Sequence, residues 1–122
     1  MNALGARIVP GYAGARRANK FKAKPIVIDG IRFPSIKQGN RYRQLKLLRQ
    51  AERIRNLRLE VPYVIKVNGF PVCVYRADFV YEEYVGGEWP EVVEDVKGVR
   101  TPTYLLKKKL MKAVHGIDIR ET

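Results

Sequence analysis

The order of local patterns in this chain predicts an α/β fold with a central mixed sheet flanked by helices. Three observations lead there. Two-residue alternation over 71–81 and 91–97 predicts neighbouring strands. Tyr42, Leu45 and Leu48 recur at helical spacing. The succession is hairpin, helix, strands, helix, strand, which mixes both kinds of element within one layer structure.

Taken in order, residues 1–24 have no steady period and are rich in Ala, Gly and Arg, so they read as a basic arm ahead of a folded domain at 25–122. Residues 26–33 predict a hairpin with Asp29-Gly30 at its turn. Ser35 predicts the N-cap of a helix running to about residue 50, with Gln38 on its inward stripe. Residues 54–60 predict a short strand, and 63–67 and 71–81 two more joined at Asn68-Gly69. In 71–81, Asp78 shares a face with Val74, Arg76 and Val80, opposite Tyr75, Ala77, Phe79 and Tyr81. In 91–97, Val93, Asp95 and Lys97 share a face opposite Val92, Glu94 and Val96. Thr101 or Thr103 caps a helix through about Val114, stopped by Gly116, and 117–120 form a last strand.

A length of 122 residues suits a single domain, and 24 Lys plus Arg against 12 Asp plus Glu give +12. Six bases without an acid lie in 1–24, eight bases beside Glu52 in 37–58, and six bases without an acid in 97–112. Residues 78–95 hold seven acids and no base. A basic body of this kind points to a polyanion, most simply nucleic acid. The acids at Glu82, Glu83, Glu88 and Glu91 flank Gly86-Gly87 and read as a solvated hairpin. With no run of 18 apolar residues, no spanning helix is expected; an anionic membrane surface or simple solubility would account for the same net charge, but no membrane partner is expected. A lone Cys73 rules out an internal disulfide and an all-Cys zinc site. His115 reads as a helix-end residue, and Trp89 and most tyrosines as packing.

The residues with chemistry to offer are Asp78, Asp95 and Lys97. Carboxylates on adjacent strands can share a hard cation such as Mg²⁺, which takes oxygen ligands and keeps several waters. A lysine beside it can orient or deprotonate water, or offset phosphate charge. Glu94, on the opposite strand face, is the competing ligand. The bland alternative is a surface ion pair between Asp95 and Lys97.

Four blocks then carry a resemblance: F-P-S-I-K-Q-G-N-R-Y-R-Q-L-K-L-L (33–48), Y-R-A-D-F-V-Y (75–81), V-V-E-D-V-K-G (92–98) and T-P-T-Y-L-L-K-K-K-L (101–110). Together they resemble a family of small phage proteins of the PD-(D/E)XK nuclease superfamily, similar to archaeal-type Holliday junction resolvases. The resemblance spans about 25–121. It implies a restriction-endonuclease-like core, Asp78 and Asp95 as Mg²⁺ ligands (Mn²⁺ as a substitute), the Val96 carbonyl as a further ligand, and Lys97 as the motif lysine. It also implies a homodimer acting on four-way DNA junctions in the cytoplasm of the host cell. The family's helix block follows S-x-x-E-A-x-R-Y, whereas Gln38 stands here at the glutamate position and Asn40 where a second acid often appears. Gln38 is thus a natural solution, an engineered substitution, or the mark of lost cleavage, and the sequence accommodates all three.

The expected DNA interface comprises Arg16, Arg17 and Lys20 of the arm, Lys37 and Arg41 of the first helix, and Arg100, Tyr104, Lys107 and Lys108 around the second. The leading expectation is a Mg²⁺-dependent, structure-selective endonuclease. A non-catalytic DNA-binding recombination accessory is the alternative, and a structural RNA-binding protein is the third.

Overall fold

A computed structural model describes residues 23–122, so the arm residues Arg16, Arg17 and Lys20 lie outside the described residues. The protein is α/β, with a mixed multi-strand sheet and two helices. The chain divides into two compact units, Met1–Tyr42 and Arg43–Thr122.

In the first unit, β1 (Ile26–Ile28) and β2 (Ile31–Phe33) form the predicted antiparallel hairpin. Asp29 and Gly30 both take positive φ, 55° and 77°, as a tight two-residue turn requires. The helix α1 (Ile36–Gln50) begins in this unit. Ser35 caps it by accepting the Gln38 N–H at 3.1 Å. Gly39 lets the hairpin approach closely, because a Cβ there would lie 2.7 Å from Ile26 Cγ2. Tyr42 stacks on Phe33, ring centroids 4.9 Å apart, and its hydroxyl donates to Asp29 Oδ2.

The second unit is built on a long hairpin, β3 (Ile54–Val67) and β4 (Phe70–Glu83). The sequence predicts two strands where β3 is one. Positive φ at Asn56 and Glu60 absorbs the breaks in alternation, and a register shift lies between Arg55 and Arg58. Pro62 is tolerated because β3 is an edge strand, where a missing N–H costs no ladder bond on its outer side. The hairpin turns at Asn68-Gly69, φ 51° and 82°, as predicted. Next come β5 (Glu91–Asp95), antiparallel to β4, and β6 (Arg120–Glu121), parallel to β5. The sheet order is therefore β3-β4-β5-β6. The sequence expects the fourth of these strands to reach 97 and the last to occupy 117–120; β5 stops at Asp95 and β6 starts at Arg120.

Between β5 and β6 lies α2 (Pro102–Leu110), followed by a π-turn at Met111–His115. Of the two candidate caps, Thr101 serves: its Oγ1 accepts the Tyr104 N–H at 3.1 Å. Gly116, φ 69°, ends the turn as predicted. This segment covers one sheet face, packing Tyr104, Met111 and Ile119 against Ile65, Tyr75, Ala77, Val80 and Val93. Burying that set supplies most of the unit's hydrophobic stabilisation on this face. Val64, Val72 and Val74 on the other face of the hairpin are exposed, as is Phe70 at its tip. Nearer the hairpin base, Phe79, Tyr81, Val92 and Glu94 on that other face are buried.

Candidate functional site

β4 and β5 pair through Val80–Val93 and Phe79–Glu94, and there the ladder stops. On the next rung Asp78 replaces a backbone acceptor: its Oδ2 takes the Val96 N–H at 2.8 Å. The side chain is thereby held at the end of the ladder, close enough to Asp95 for that carboxylate's charge to act on it. Asp95 is 5% exposed. The Tyr75 hydroxyl donates to its Oδ2 at 2.6 Å, and Lys97 Nζ lies 3.0 Å from its Oδ1.

Strict alternation predicts that Tyr75 faces away from Asp78. Instead Tyr75, Ala77 and Val80 share one core cluster, so the alternation slips once between Ala77 and Val80. The neighbouring irregularity is Glu60, φ 54°, between the Leu59–Phe79 and Val61–Ala77 pairs. The slip brings Tyr75 and Asp78 into the same cleft.

That cleft has a volume of about 470 Å³ and is walled by Asp78, Asp95, Lys97, Tyr75, Arg76, Thr101, Thr103, Tyr104 and Lys107. Two of its cations are tied to backbone: Lys107 Nζ donates to the Val74 carbonyl at 2.8 Å and Arg76 to the Glu60 carbonyl. Lys97 Nζ sits 3.7 Å from the centroid of the Tyr104 ring. Tyr104 is buried, and its hydroxyl donates to Glu121 Oε2 at 2.7 Å. Lys108, 3.0 Å away, and Arg100, 3.5 Å away, also face Glu121.

The electrostatics follow from burial. Loss of water, then the neighbouring Asp95 charge, pushes the Asp78 carboxyl up to about 7, against the pull of the Val96 N–H and Lys97. Burial and the bond to Asp95 push the Tyr75 phenol up, so it stays a donor. Burial and the bond to Glu121 do the same for Tyr104. Glu121 is held below the usual carboxylate range by the Tyr104 hydroxyl and then Lys108.

Glu94 is on the opposite strand face, as predicted. It is fully buried, and it accepts the Tyr81 hydroxyl and the Thr122 hydroxyl. Gln38 is also buried, in the first unit on the first turn of α1, where Lys37 is exposed and Arg41 half-buried. The sequence brings together Asp78, Asp95, Lys97, Tyr104 and Lys107 at one cleft, with Val96 adjoining.

A family model described as a protein of unknown function, DUF1064, matches residues 18–121. The chain belongs to the DUF1064 family. No curated protein and no solved structure matches it.

In this DUF1064 chain no group of three or more His, Cys, Asp and Glu side chains suited to a metal occurs among the described residues. An all-protein metal cage is therefore a poor fit. A cation that uses two carboxylates and keeps its waters fits better. Two carboxyls brought together away from solvent, with the Asp95 charge acting on Asp78, form a pair whose repulsion a divalent cation relieves. The DUF1064 residues that sequence reasoning passes over are Tyr75, Glu121 and Thr122. The aromatic three positions before Asp78 was a visible signal for Tyr75, hidden by strict alternation. Glu121 and Thr122 lay beyond the expected last strand and carried none.

Proposed function

We propose that this protein is a Mg²⁺-dependent, structure-selective DNA endonuclease with a restriction-endonuclease-like core, acting as a homodimer on four-way junctions. The observation that carries the reading is the pairing of half-buried Asp78 with buried Asp95, with Lys97 beside it. The +12 charge supports a polyanionic substrate.

Asp78 and Asp95, with the Val96 carbonyl, would hold Mg²⁺. When bound, the cation supplies acidified water and charge stabilisation at a phosphate. The remaining work falls to the chain. Tyr75 keeps Asp95 oriented by donating to Oδ2, which leaves Oδ1 facing Lys97. Lys97 exchanges its bond to Asp95 for one to attacking water or a phosphate oxygen. Arg76 and Lys107 stand on the cleft wall, where they attract the DNA backbone.

The test is cleavage of a labelled four-way junction in Mg²⁺, with the parent chain beside Gln38→Glu and Asp95→Ala. The reading expects cutting by the parent, by Gln38→Glu or by both, and none by Asp95→Ala. Cleavage that persists in Asp95→Ala overturns the site.

A second reading, a DNA-binding recombination accessory without catalysis, is favoured by two observations. An uncharged Gln38 stands where the family that the sequence resembles carries a glutamate, and Lys97 already pairs with Asp95. Junction binding that is equal in Mg²⁺ and EDTA, with no product from either parent or Gln38→Glu, would establish it.

A further inference from the structure

Asp95 and Glu121 are register partners on the parallel strands β5 and β6. Both side chains therefore leave the sheet on the face that α2 covers. The backbone between them is stitched twice: Thr122 N–H donates to the Asp95 carbonyl at 3.0 Å, and Lys97 N–H donates to the Thr122 carbonyl at 3.0 Å. Residues 95–97 lie beyond the last rung of the β4–β5 ladder, so this stitching helps set where the Lys97 stem starts.

The far end of Lys97 is set differently. Its stem is long and rotatable, and an ammonium at its tip needs a platform to stay in one place. The Tyr104 ring is that platform, 3.7 Å from Nζ. A phenol ring held only by packing can tilt. Here the hydroxyl is tethered at 2.7 Å to Glu121 Oε2, and the carboxylate draws density onto the π face that Lys97 meets. Lys108 and Arg100 approach the same Oε2, at 3.0 Å and 3.5 Å, and add to the tether.

We infer that Glu121 is a positioning residue of the Asp95–Lys97 site, acting through the Tyr104 hydroxyl to fix the ring on which the Lys97 ammonium rests. The kinetic part of this inference rests on the endonuclease reading; the geometric part does not. Glu121 touches neither carboxylate of the pair nor any reacting atom. It governs where Lys97 stands when its bond to Asp95 is exchanged for one to substrate.

Four chains test it: Glu121→Ala, Glu121→Gln, Tyr104→Phe and the Glu121→Ala/Tyr104→Phe double variant. The first readout is by NMR. The Tyr104 ring current displaces the Lys97 ε-methylene protons upfield, and that displacement should shrink in Glu121→Ala and in Tyr104→Phe. Glu121→Gln should keep it, because the amide oxygen still accepts the hydroxyl. The second readout is junction cleavage in Mg²⁺. Here kcat should fall about tenfold to a hundredfold in both single variants. KM should change by less than about twofold, and the double variant should lose no more than either single one. A simple packing role predicts otherwise, since phenylalanine packs as tyrosine does. A Lys97 resonance unmoved in Tyr104→Phe, or additive losses in the double variant, overturns the inference. Tyr104→Phe is isosteric and stays informative if Glu121→Ala misfolds. A protein that cuts no DNA either as the parent or as Gln38→Glu overturns the endonuclease reading instead, and the NMR result still decides the placement of Lys97.

Discussion

Two groups of acids lie within a few residues of each other on β4 and β5, and they behave in opposite ways. Glu82, Glu83 and Glu91 point outward, and each meets an arginine: Arg55, Arg120 and Arg58. The Arg55 guanidinium, then the Asn56 side chain, holds Glu82 below its ordinary range. Asp78, four residues earlier on the same strand, is pushed the other way by burial and by Asp95. By sequence these acids form one island, seven acids without a base across 78–95. In the fold the island divides: Glu82, Glu83 and Glu91 are neutralised at the rim, Glu94 is buried under the Tyr81 and Thr122 hydroxyls, and Asp78 faces Asp95. Charge along a chain therefore does not locate a cation site. A better marker of a candidate site is the place where carboxyls face each other away from solvent, as Asp78 and Asp95 do.

The largest effect expected from this contrast is at Asp95. Asp95→Ala should lower Mg²⁺-dependent junction cleavage by at least about a hundredfold while leaving junction binding intact or tighter, as a gel-shift assay would record. Next, Gln38→Glu should raise Mg²⁺-dependent cleavage over the parent, measured side by side; an unchanged rate would detach position 38 from the metal requirement.

The third prediction concerns protons. The native chain holds the Asp78 proton more tightly than the unfolded chain, whose carboxyl titrates near 3.8. The stability this contributes is full below that value and is lost as pH rises through about 7. Urea midpoints should therefore fall between pH 4 and pH 8, and Asp78→Asn should flatten the slope. Calorimetry in buffers of different ionisation enthalpy should show Mg²⁺ releasing a proton at pH 6 and little at pH 8.

The smallest effect belongs to the rim. Glu91→Gln removes an exposed pair with Arg58 at 2.8 Å and should change stability by less than about 1 kcal/mol, without altering the Mg²⁺ requirement. A rim variant that shifts the Mg²⁺ dependence as Asp95→Ala does would erase the distinction between the two groups.

Much of the framework was legible from residues. Both two-residue turns, the Ser35 cap and the Gly116 stop follow from local chemistry that needs no tertiary partner, and the burial of Gln38 follows from its place on the helical stripe. Asp95 and Lys97 were legible as one site, although β5 ends before Lys97 and the Thr122 bond carries the segment on. What was not legible depended on the neighbours of a strand. The slip in β4 is set with Glu60 on the strand beside it, so alternation alone placed Tyr75 wrongly. The continuity of β3 depends on its edge position, which no local pattern reports. Glu121 acquires its partners from α2 and β5, both distant in sequence.

The parallel pairing of β5 with β6 has a consequence for the order of folding. The β3–β4 hairpin closes through two residues and can form alone within microseconds. β6 can reach β5 only after the chain has gone out through α2 and back, a crossover with a larger closure cost. The cleft, whose Lys97 backbone bonds to Thr122, is then the last part of this unit to assemble and the first to open. Amide exchange should be faster at Lys97 and Thr122 than at Tyr75 and Ala77. On warming, the site should come apart while most of the sheet still stands.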